Sequence, residues 1–421
     1  MDREPSQPDA RSLRIVILNQ PFAPDVVATA QIAKDFADAC VDRGHTVRAI
    51  ASRSIYGQTG SSLPRRETLD GIEVIRVGSN VFGKKSTLGR LFDFAMYYCR
   101  ALWVGLFGPR QDVIVCLTTP PYIAFVALMI RLLRGGKVVY WLMDIYPDVM
   151  IAHDMIRERG VVHRVLRRLH RSILKRVNAT IVLGRCMEER LVAQGAPPDK
   201  ISVIPVWGVT DESAHSHAPA LSNPYRVQWD VGDRCLVMYS GNFGLAHDVQ
   251  TFLDGALRAR DDDRYRFALV GGGKRKERVA TFVTENGLDS CAVEPYQPRE
   301  RLGELLSAAD VHLVTMESAW WGLVVPSKFF GVGAIGRPVL FIGPAQSEIA
   351  RLINEWECGY VIEPGDVDAL LESLDALASD SELRVTMGRR ASEMSASVSR
   401  RSACTDRMLE VIEGVVGERK R

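Results

Sequence analysis

Three glycine- and proline-containing turns in the second half of the chain are the strongest candidates for chemistry. SGNFG at residues 240–244 and GGG at residues 271–273 each follow a predicted strand, and VVPSK at residues 324–328 opens a predicted short helix. Proline suits the first turn of a helix, and the free backbone amides at a helix start attract anions. Lys328 adds a formal charge, so the three turns together predict a phosphate-binding site. Each turn alone is equally typical of an ordinary strand-to-helix connection.

Two segments in the first half also follow predicted strands. PDVVATAQ at residues 24–31 joins the first strand to its helix and contains Ala28, Thr29 and Gln31. WLMDIYPD places Asp144 where another strand ends. In open parallel sheets, ligands bind beyond the carboxyl ends of the strands, so we expect Asp144 at that edge. Its carboxylate either caps the helix that follows or takes part in substrate binding or catalysis.

The elements that must position these residues alternate between strand and helix along almost the whole chain. Apolar strand-like runs recur with helical stretches between them, from RIVIL through KVVYWL to ATIVLG, and again from CLVMYSG to GYVIEPGD. That order is typical of parallel sheets with helices on both faces. The fold class is therefore predicted as α/β, with two doubly wound Rossmann-like domains that face each other across a cleft.

The alternation breaks once, in a stretch rich in turn-forming residues, and the break marks a domain boundary. A length of 421 residues agrees with two domains. We expect a disordered leader at residues 1–12, an N-terminal domain at 13–205, a linker at 206–233, a C-terminal domain at 234–395, and a C-terminal helix at 396–421 that returns to the first domain.

Composition and charge narrow the class of protein. The chain has 47% hydrophobic and 25% charged residues, as ordinary globular proteins do. Residues 1–200 contain 29 Lys and Arg against 19 Asp and Glu, and much of the excess lies in HRVLRRLHRSILKRV. Such a run is typical of a solvated helix face, and also of a basic helix that rests on an anionic membrane. Nucleic acid is not expected as a partner, because no recognised binding motif accompanies the charge.

Several kinds of chemistry lack their usual motifs. The eight cysteines are scattered and form no C-x-x-C pair, which indicates reduced, mostly buried thiols in a cytoplasmic protein. The sequence contains no P-loop, H-E-x-x-H or G-x-S-x-G motif. His215 and His217 stand alone in the predicted linker. We therefore expect neither a metal centre nor another cofactor.

Eight segments, taken in order, resemble the family 4 glycosyltransferases of the GT-B fold. They are NQPFAPDVVATAQIAKDFADACVDRGHTVRAI, TTPPYIAFVALMIRLL, MDIYPDVM, ISVIPVWG, YSGNFGLAHDVQTFL, ALVGGG, YQPRERLGELLSAADVHLV and VPSKFFGVGAIGRPVL. The resemblance covers nearly the whole chain after the leader. It is strongest to the bacterial branch of the family that builds surface polysaccharides and amino-sugar glycans.

This resemblance implies a reaction and a division of roles between the domains. A nucleotide sugar, usually a UDP sugar, would bind the C-terminal domain, and a glycan or lipid-linked acceptor would bind the N-terminal domain. A hexosyl or N-acetylhexosaminyl group would be transferred in the cleft, with retention of the anomeric configuration and without a metal. Two alternatives stay open: a non-catalytic nucleotide- or sugar-binding partner of a glycosyltransferase, and a sugar epimerase of the GT-B fold.

The resemblance also carries residue roles onto matching positions of this sequence. Lys328 and the loop amides would stabilise the leaving nucleotide diphosphate, and Asp144 would orient the acceptor or the sugar, so these two are the predicted catalytic residues. The N-terminal loop with Ala28, Thr29 and Gln31 would face the acceptor. The predicted nucleotide-sugar site comprises Gly241, Asn242, Gly244, Gly271, Tyr296, Gln297, Val324, Val325, Ser327 and Lys328.

The sequence departs from the family pattern at two places. Many members carry two glutamates in an E-x7-E arrangement, but the position of the second is Gly331 here, and Glu317 is followed eight positions later by Val325. These replacements leave the contacts to the ribose and the base open. The Arg and Lys that often follow the first glycine turn are replaced by Phe243, Leu245, Ala246 and His247.

The apolar run FDFAMYYCRALWVGLF at residues 92–107 has two interpretations. It is typical of a core helix with aromatic packing. Beside the basic run, it is equally typical of a helix that rests on the cytoplasmic face of a membrane and receives a lipid-linked acceptor. It is too interrupted to span a bilayer. The predicted location is cytoplasmic, with a peripheral place on the inner face of the plasma membrane as the second alternative.

Overall fold

The computed structural model describes residues 12–55, 62–78, 87–208 and 220–417. Within these ranges the chain forms two α/β domains with one sheet each, so the predicted fold class is confirmed. Residues 1–11 of the predicted leader lie outside the described residues, as do His215, His217 and the last four residues of the predicted C-terminal helix.

The first domain is built on an eight-stranded sheet. Its spatial order is β3-β4-β2-β1-β5-β6-β7-β8, and all neighbouring strands are parallel except the edge pair β3 and β4. The central strands are short apolar runs buried on both faces, as parallel strands covered by helices must be. The strands are β1 (Arg14–Leu18), β2 (Thr46–Ser52), β3 (Arg66–Leu69), β4 (Ile72–Val77), β5 (Val113–Cys116), β6 (Lys137–Leu142), β7 (Ala179–Val182) and β8 (Ile201–Val203).

Helices cover both faces of this sheet. They are α1 (Ala28–Asp42), α2 (Thr87–Phe107), α3 (Ile123–Arg134), α4 (Asp148–Ala152), α5 (Val161–Arg176) and α6 (Arg185–Ala193). α2 packs beside α3, and α3 beside α5, whereas right-handed crossovers place α1 on the opposite face. No helix within the described ranges has both the length and the apolar character needed to cross a membrane.

The second domain contains a six-stranded parallel sheet in the order β11-β10-β9-β12-β13-β14. Its strands are β9 (Cys235–Asn242), β10 (Tyr265–Gly272), β11 (Cys291–Glu294), β12 (Val311–Thr315), β13 (Val339–Ile342) and β14 (Gly359–Ile362). Its helices, and the last one that leaves it, are α7 (Pro224–Gln228), α8 (Gln250–Arg258), α9 (Lys276–Glu285), α10 (Leu302–Ser307), α11 (Lys328–Ala334), α12 (Glu348–Trp356), α13 (Val367–Ser379), α14 (Ser381–Val398) and α15 (Arg401–Gly417). The strand order reverses between β9 and β12, where a binding crevice is expected in such sheets.

Part of the predicted linker belongs to the second domain. α7 begins at Pro224 and is capped by Asn223, whose side chain accepts a hydrogen bond from the amide of Tyr225 at 2.9 Å. Tyr225 and Trp229 then pack against the second sheet beside Leu236. A helix of five residues is too short to show a helical repeat, so the sequence pattern did not reveal it.

The chain crosses between the domains twice. The first crossing follows β8, where the indole nitrogen of Trp207 donates a hydrogen bond to Asp35 Oδ2 at 2.8 Å. The second lies between α14 and α15, after which α15 packs on α1, β6 and β7. Arg407 of α15 donates to the carbonyl oxygen of Val203 at 2.7 Å, so the two crossings lie side by side.

Apolar contacts and ion pairs hold the two domains together beside the cleft. One continuous apolar cluster runs from the first sheet into α11 and α12. At its edge, Arg185 of α6 pairs with Glu348 and Glu355 of α12, and Arg351 of α12 pairs with Glu189 of α6, at 2.6–2.9 Å. α6 and α12 therefore form one wall between the domains.

Candidate functional site

The first two glycine turns lie where the order of the second sheet reverses. β9 and β10 stay paired to their last residues, with Gly241 opposite Gly271 and Asn242 opposite Gly272. Gly241 and Gly271 have φ values of 141° and 146°, and a side chain at Gly271 would overlap the carbonyl oxygen of Gly241. Only glycine fits there. The two turns therefore form one compact floor of backbone groups.

Lys328, the first residue of α11, reaches over this floor. Its Nζ donates a hydrogen bond to the hydroxyl of Tyr239 at 2.7 Å and lies 3.9 Å from the centre of the Tyr239 ring. The same Nζ lies 3.2 Å from the point where a Cβ of Gly241 would stand. Burial lowers the pKa of Lys328 to about 7. Within the described ranges no carboxylate pairs with this amine, which leaves it available to an anion.

Asn242 links the two glycine turns. Its side chain fills the space beside Gly244 on one side and Gly273 on the other, and a Cβ at either glycine would collide with it. Its backbone carbonyl accepts the hydroxyl proton of Tyr239 at 2.7 Å. One series of hydrogen bonds thus joins Asn242, Tyr239 and Lys328.

A second cation approaches the same turns. Arg275 follows the GGG turn closely, and its Nη1 pairs with Glu317 Oε1 at 2.7 Å and donates to the carbonyl oxygen of His247. The ring of His247 donates from Nδ1 to the carbonyl oxygen of Thr315 at 2.7 Å. Burial, with the charge of Lys328 as the next cause, lowers the pKa of His247 to about 3. The ring is therefore neutral, and it lies close to both cations.

The loop before α11 presents backbone groups. Val325 is buried, while Val324 and Ser327 are half-buried, and Ser327 caps α11 without a side-chain hydrogen bond. In the part of the chain that the structure describes, the amides of these three residues donate to no other group. Unused amides next to an amine and a guanidinium suit a diphosphate, because each can donate a charge-assisted hydrogen bond to a phosphate oxygen.

Tyr296 and Gln297 follow β11 at the rim of the turns. Tyr296 is 60% exposed, and its ring lies against Gly272, close enough to exclude a side chain there. Gln297 turns its side chain away, since its Oε1 accepts a hydrogen bond from the hydroxyl of Tyr225 at 3.3 Å. Tyr296 thus borders the floor directly, whereas the side chain of Gln297 is engaged with α7.

Asp144 lies at the carboxyl edge of the first sheet, just after β6. Thr118, which follows β5, donates to Asp144 Oδ2 at 3.2 Å. Burial raises the pKa of Asp144 to about 6, because this hydrogen bond replaces only part of the hydration of a carboxylate. α4, the helix that follows, has Pro147 at its N-cap and no side-chain capping bond. The capping interpretation of Asp144 is therefore wrong.

A backbone hydrogen bond brings Asp144 next to the loop of the second domain. The amide of Ile145 donates to the carbonyl oxygen of Leu323 at 3.1 Å, and Leu323 immediately precedes Val324. Asp144 and Val324 are thus each one residue away from this hydrogen bond between the domains. The structure brings Asp144 and the loop that leads to Lys328 to the same cleft.

The three N-terminal candidates stay apart from this contact. Ala28, Thr29 and Gln31 lie in the first turn of α1, after Val27, which caps the helix without a side-chain bond. Gln31 donates to the carbonyl oxygen of Val26, and its Oε1 is buried with no partner in the described chain. No hydrogen bond or ion pair within the described ranges ties the three residues to the second domain.

The sequence prediction missed two residues of this site and gave a third, Glu317, no role in it. Arg275 carried a usable signal, since it closely follows a glycine turn at a strand end. Tyr239 lies inside an apolar strand and resembles an ordinary core residue, so only its spatial neighbours reveal it. Glu317 lacks the glutamate partner of the family pattern and pairs with Arg275 instead. Within the described ranges, no group of three or more His, Cys, Asp or Glu residues is arranged to hold a metal ion.

Two family models match consecutive parts of the chain. The model described as "Glycosyl transferase 4-like domain" matches residues 28–207. The model described as "Glycosyl transferases group 1" matches residues 226–394. The first match covers most of the first domain, and the second covers the domain that contains the glycine turns and Lys328.

Two curated relatives are similar over much of their length. The Pseudomonas aeruginosa protein named "Probable glycosyltransferase WbjE" is 28% identical over 274 residues, which are 64% of this chain and 66% of that protein. The Escherichia coli protein named "Putative colanic acid biosynthesis glycosyl transferase WcaI" is 24% identical over 374 residues, which are 86% of this chain and 91% of that protein. The chain thus spans just under two thirds of the first relative and nearly all of the second.

Two solved structures share the arrangement of both domains. Sucrose-phosphate synthase from Thermosynechococcus elongatus superposes with a TM-score of 0.75 at 16% identity, over 97% of this chain and 100% of that one. HepE of Anabaena, in complex with UDP and glucose, superposes with a TM-score of 0.71 at 14% identity, over 96% of this chain and 100% of that one. At such identities the likeness shows the fold alone.

Proposed function

Because the chain belongs to the family 4 glycosyltransferases of the GT-B fold, we propose that it transfers a hexosyl or N-acetylhexosaminyl group from a nucleotide sugar to a glycan or lipid-linked acceptor. The proposed donor is a UDP sugar, the product retains the anomeric configuration, and no metal takes part. The similarity to a protein named for colanic acid biosynthesis supports a place in the synthesis of a cell-surface polysaccharide. The proposed location is the cytoplasm, at the inner face of the plasma membrane.

The proposal rests on the amine of Lys328. It lies over the glycine floor without a carboxylate partner in the described chain, beside the unused amides of Val324, Val325 and Ser327. As the bond between the sugar and the diphosphate breaks, negative charge builds up on the departing phosphate oxygen. The amine and the amides stabilise that charge, and removal of one such preorganised donor typically lowers the rate by about 100- to 1000-fold.

The other residues of the cleft have roles that follow from their places. Arg275 contacts the diphosphate from the side of the GGG turn, held in position by Glu317. The nucleoside rests at the rim, near Tyr296, and the complex of the similarly folded HepE with UDP supports UDP as the leaving group. Asp144 orients a hydroxyl of the acceptor or of the donor sugar from the opposite wall. No residue of the described cleft is needed to bind a metal in this scheme.

A thermal-shift panel of UDP, GDP, ADP and CMP tests the donor site. A ligand at about 100 times its Kd stabilises a protein by about 2.7 kcal/mol, which such a measurement detects easily. We expect one nucleoside diphosphate to stabilise the wild-type protein selectively, and Lys328→Ala and Arg275→Gln to reduce the shift. Arg278→Gln is the matched control, because Arg278 lies on α9 and donates to Gln250 Oε1 at 2.7 Å instead.

Transfer is then measured as release of that nucleotide from its sugar in the presence and absence of a chelator. Loss of activity in a folded Lys328→Ala protein, with chelator-resistant turnover in the wild type, supports the proposal. Full activity of Lys328→Ala would contradict the leaving-group role. Nucleotide binding without any turnover across sugars and acceptors would favour the non-catalytic alternative, and no binding of any nucleotide would remove the donor site altogether.

A further inference from the structure

α2 leaves one apolar side uncovered. Its inner side is buried and includes Tyr97 and Ala101, as a core helix requires. Trp103 and Phe107 lie on the outer side with their ring centroids 4.2 Å apart and the ring planes tilted by 39°, and they are 64% and 69% exposed. A helix that is apolar on both sides is normally covered on both. The exposed stripe, spaced by three or four residues, consists of Phe92, Ala95, Cys99, Trp103 and Phe107.

The neighbouring helices extend this apolar surface. α3 packs beside α2 and exposes Phe125, Leu132 and Leu133, of which Leu132 is 77% exposed. α5 packs beside α3 and exposes valines in its first turns, among them Val161 and Val162. We use the term docking face for the outward sides of α2, α3 and α5. Large apolar side chains that are exposed on neighbouring helices in this way indicate an interaction site.

The docking face is also strongly basic. α5 contains six Arg and Lys residues and no Asp or Glu. Within the described ranges none of the six forms an ion pair with a carboxylate. The one carboxylate of α2 and α3 is Asp93, which is buried. The face therefore presents apolar side chains and positive charge together, with no exposed negative charge of its own.

We infer that the docking face rests on a bilayer surface with anionic headgroups. Aromatic and aliphatic side chains of α2 and α3 enter the interfacial layer, while the arginines of α5 meet lipid phosphates, as in interfacial amphipathic helices. A symmetric dimer through this face would set like charges against each other, which disfavours a second copy as the occupant. The inference deepens the proposed function. Membrane binding itself is argued from the docking face alone, and only its purpose, access to a lipid-linked acceptor, rests on the proposed function.

The position of the face agrees with that purpose. In a parallel sheet, each helix begins beside the carboxyl end of the strand before it, so the first turns of α3 and α5 adjoin the cleft. Phe125 and Val161 lie in those first turns. The docking face thus extends along the helices to the carboxyl edge of the first sheet, where Asp144 lies beside the cleft. An acceptor held in the bilayer surface enters the cleft at that edge.

Vesicle flotation of the full chain tests the apolar contribution. The probes are vesicles of phosphatidylcholine mixed with phosphatidylglycerol, and vesicles of phosphatidylcholine alone. We expect the wild-type protein to float with the anionic vesicles, and the double variant Trp103→Ser, Phe107→Ser to bind about tenfold more weakly or worse. The matched control is Leu221→Ser, Val227→Ser, which removes side chains of 64% and 69% exposure from the second domain and is expected to bind as the wild type does.

The basic contribution is tested with Arg164→Gln, Arg167→Gln, Arg168→Gln. Each cation near an anionic membrane surface contributes about fivefold to partitioning, so the triple variant is expected to lose about 100-fold. Wild-type binding is expected to weaken as salt is raised and to be much lower on phosphatidylcholine alone. The nucleotide-induced thermal shift, measured on every variant, reports whether the fold and the donor site are intact.

Three results overturn the inference: no flotation of the wild type with anionic vesicles, equal flotation of both docking-face variants and the wild type, or a wild-type dimer that Trp103→Ser, Phe107→Ser converts to monomer. The last result would assign the face to a protein partner. The proposed function fails separately, through the absence of nucleotide binding or turnover. Vesicle binding without nucleotide binding would therefore count against the function alone, and the reverse against the docking face alone.

Discussion

Binding of a nucleotide sugar is expected to draw a proton onto Lys328. Burial holds the pKa of this amine at about 7 in the free protein, against an ordinary value of 10.5. Its neighbours are the hydroxyl and ring of Tyr239 rather than a carboxylate. A diphosphate beside the amine supplies the missing negative charge and returns the pKa toward its ordinary range. Each binding event therefore takes up a proton whenever the free amine is neutral.

The uptake has a definite dependence on pH. A group with a pKa of about 7 is about one tenth neutral at pH 6, about one half at pH 7 and about nine tenths at pH 8. The expected uptake per bound donor therefore rises from about 0.1 to about 0.9 proton over this range. Because the complex binds more protons than the free protein above pH 7, the Kd is constant in acid and rises by about tenfold per pH unit above pH 8.

Titration calorimetry with UDP-glucose measures this uptake. Both phosphates of that ligand are esterified, so the ligand itself does not titrate near neutrality. Titrations at each pH in two buffers of different ionisation enthalpy give the number of protons taken up. Lys328→Met removes the titrating amine and keeps an unbranched side chain. Lys200→Met is the matched control, since Lys200 donates to the carbonyl oxygens of Lys175 and Val177 in the first domain.

Two outcomes would refute the reasoning: an uptake near zero at pH 8 in the wild type, or an unchanged uptake in Lys328→Met. The neighbouring groups can be told apart. Burial raises the pKa of Tyr239 above its ordinary range, so its hydroxyl does not titrate here. His247 has a pKa of about 3, and if the diphosphate raises it, the extra uptake belongs below pH 7 and survives in Lys328→Met.

Two further substitutions test the cleft and the contact between the domains. Asp144→Asn is expected to abolish transfer yet to raise the free energy of unfolding at pH 8 by about 3 kcal/mol, because burial raises the folded-state pKa of Asp144 from 3.8 to about 6 and so penalises the ionised form. The gain falls to about 0.6 kcal/mol at pH 4, where the carboxyl group is protonated in the folded protein but only partly so in the unfolded chain. Denaturant unfolding at both pH values measures it. Gly208→Ala is expected to lower the melting temperature, because its Cβ would stand 2.9 Å from Gly331 Cα. The matched control is Gly331→Ala, whose Cβ meets nothing within 4 Å. This control is expected to stabilise α11 by about 0.5–1 kcal/mol, since alanine favours a helix more than glycine does. A Gly208→Ala protein as stable as the wild type would contradict the close approach of the two backbones.

The strands and the glycine turns could be predicted because their signals lie within short stretches of the sequence. Apolar runs ending in glycine indicated the positions of the turns. Pro326 indicated the start of α11 to within two residues, since the helix begins at Lys328 with Ser327 as its N-cap. Exact helix starts depend on individual side chains: α8 begins at Gln250, where Asp248 Oδ1 accepts the amides of Gln250 and Thr251 at 2.9 and 3.1 Å. The edge strand β3, Arg66–Leu69, escaped notice because it is short and mostly polar.

Contacts between distant residues could not be predicted in this way. Lys328 and Tyr239 are 89 positions apart, and Arg275 and Glu317 are 42 apart. No local pattern links such pairs, since the chain must first form the sheet that brings them together. The run at residues 92–107 shows a related limit. Its composition fitted both a core helix and a surface helix, and the structure gives it one side of each kind.

The return of α15 to the first domain has a consequence for the order in which the protein is made. Its residues Cys404, Met408 and Ile412 join the same apolar cluster as β1 and β6, yet the ribosome adds them only after the entire second domain. The nascent first domain therefore emerges with an apolar surface that its own residues cannot fill. This core is complete only after α15 has been synthesised and has packed on α1, β6 and β7. A chain that ends before α15 therefore leaves exposed the apolar residues of the first domain that α15 covers in the folded protein.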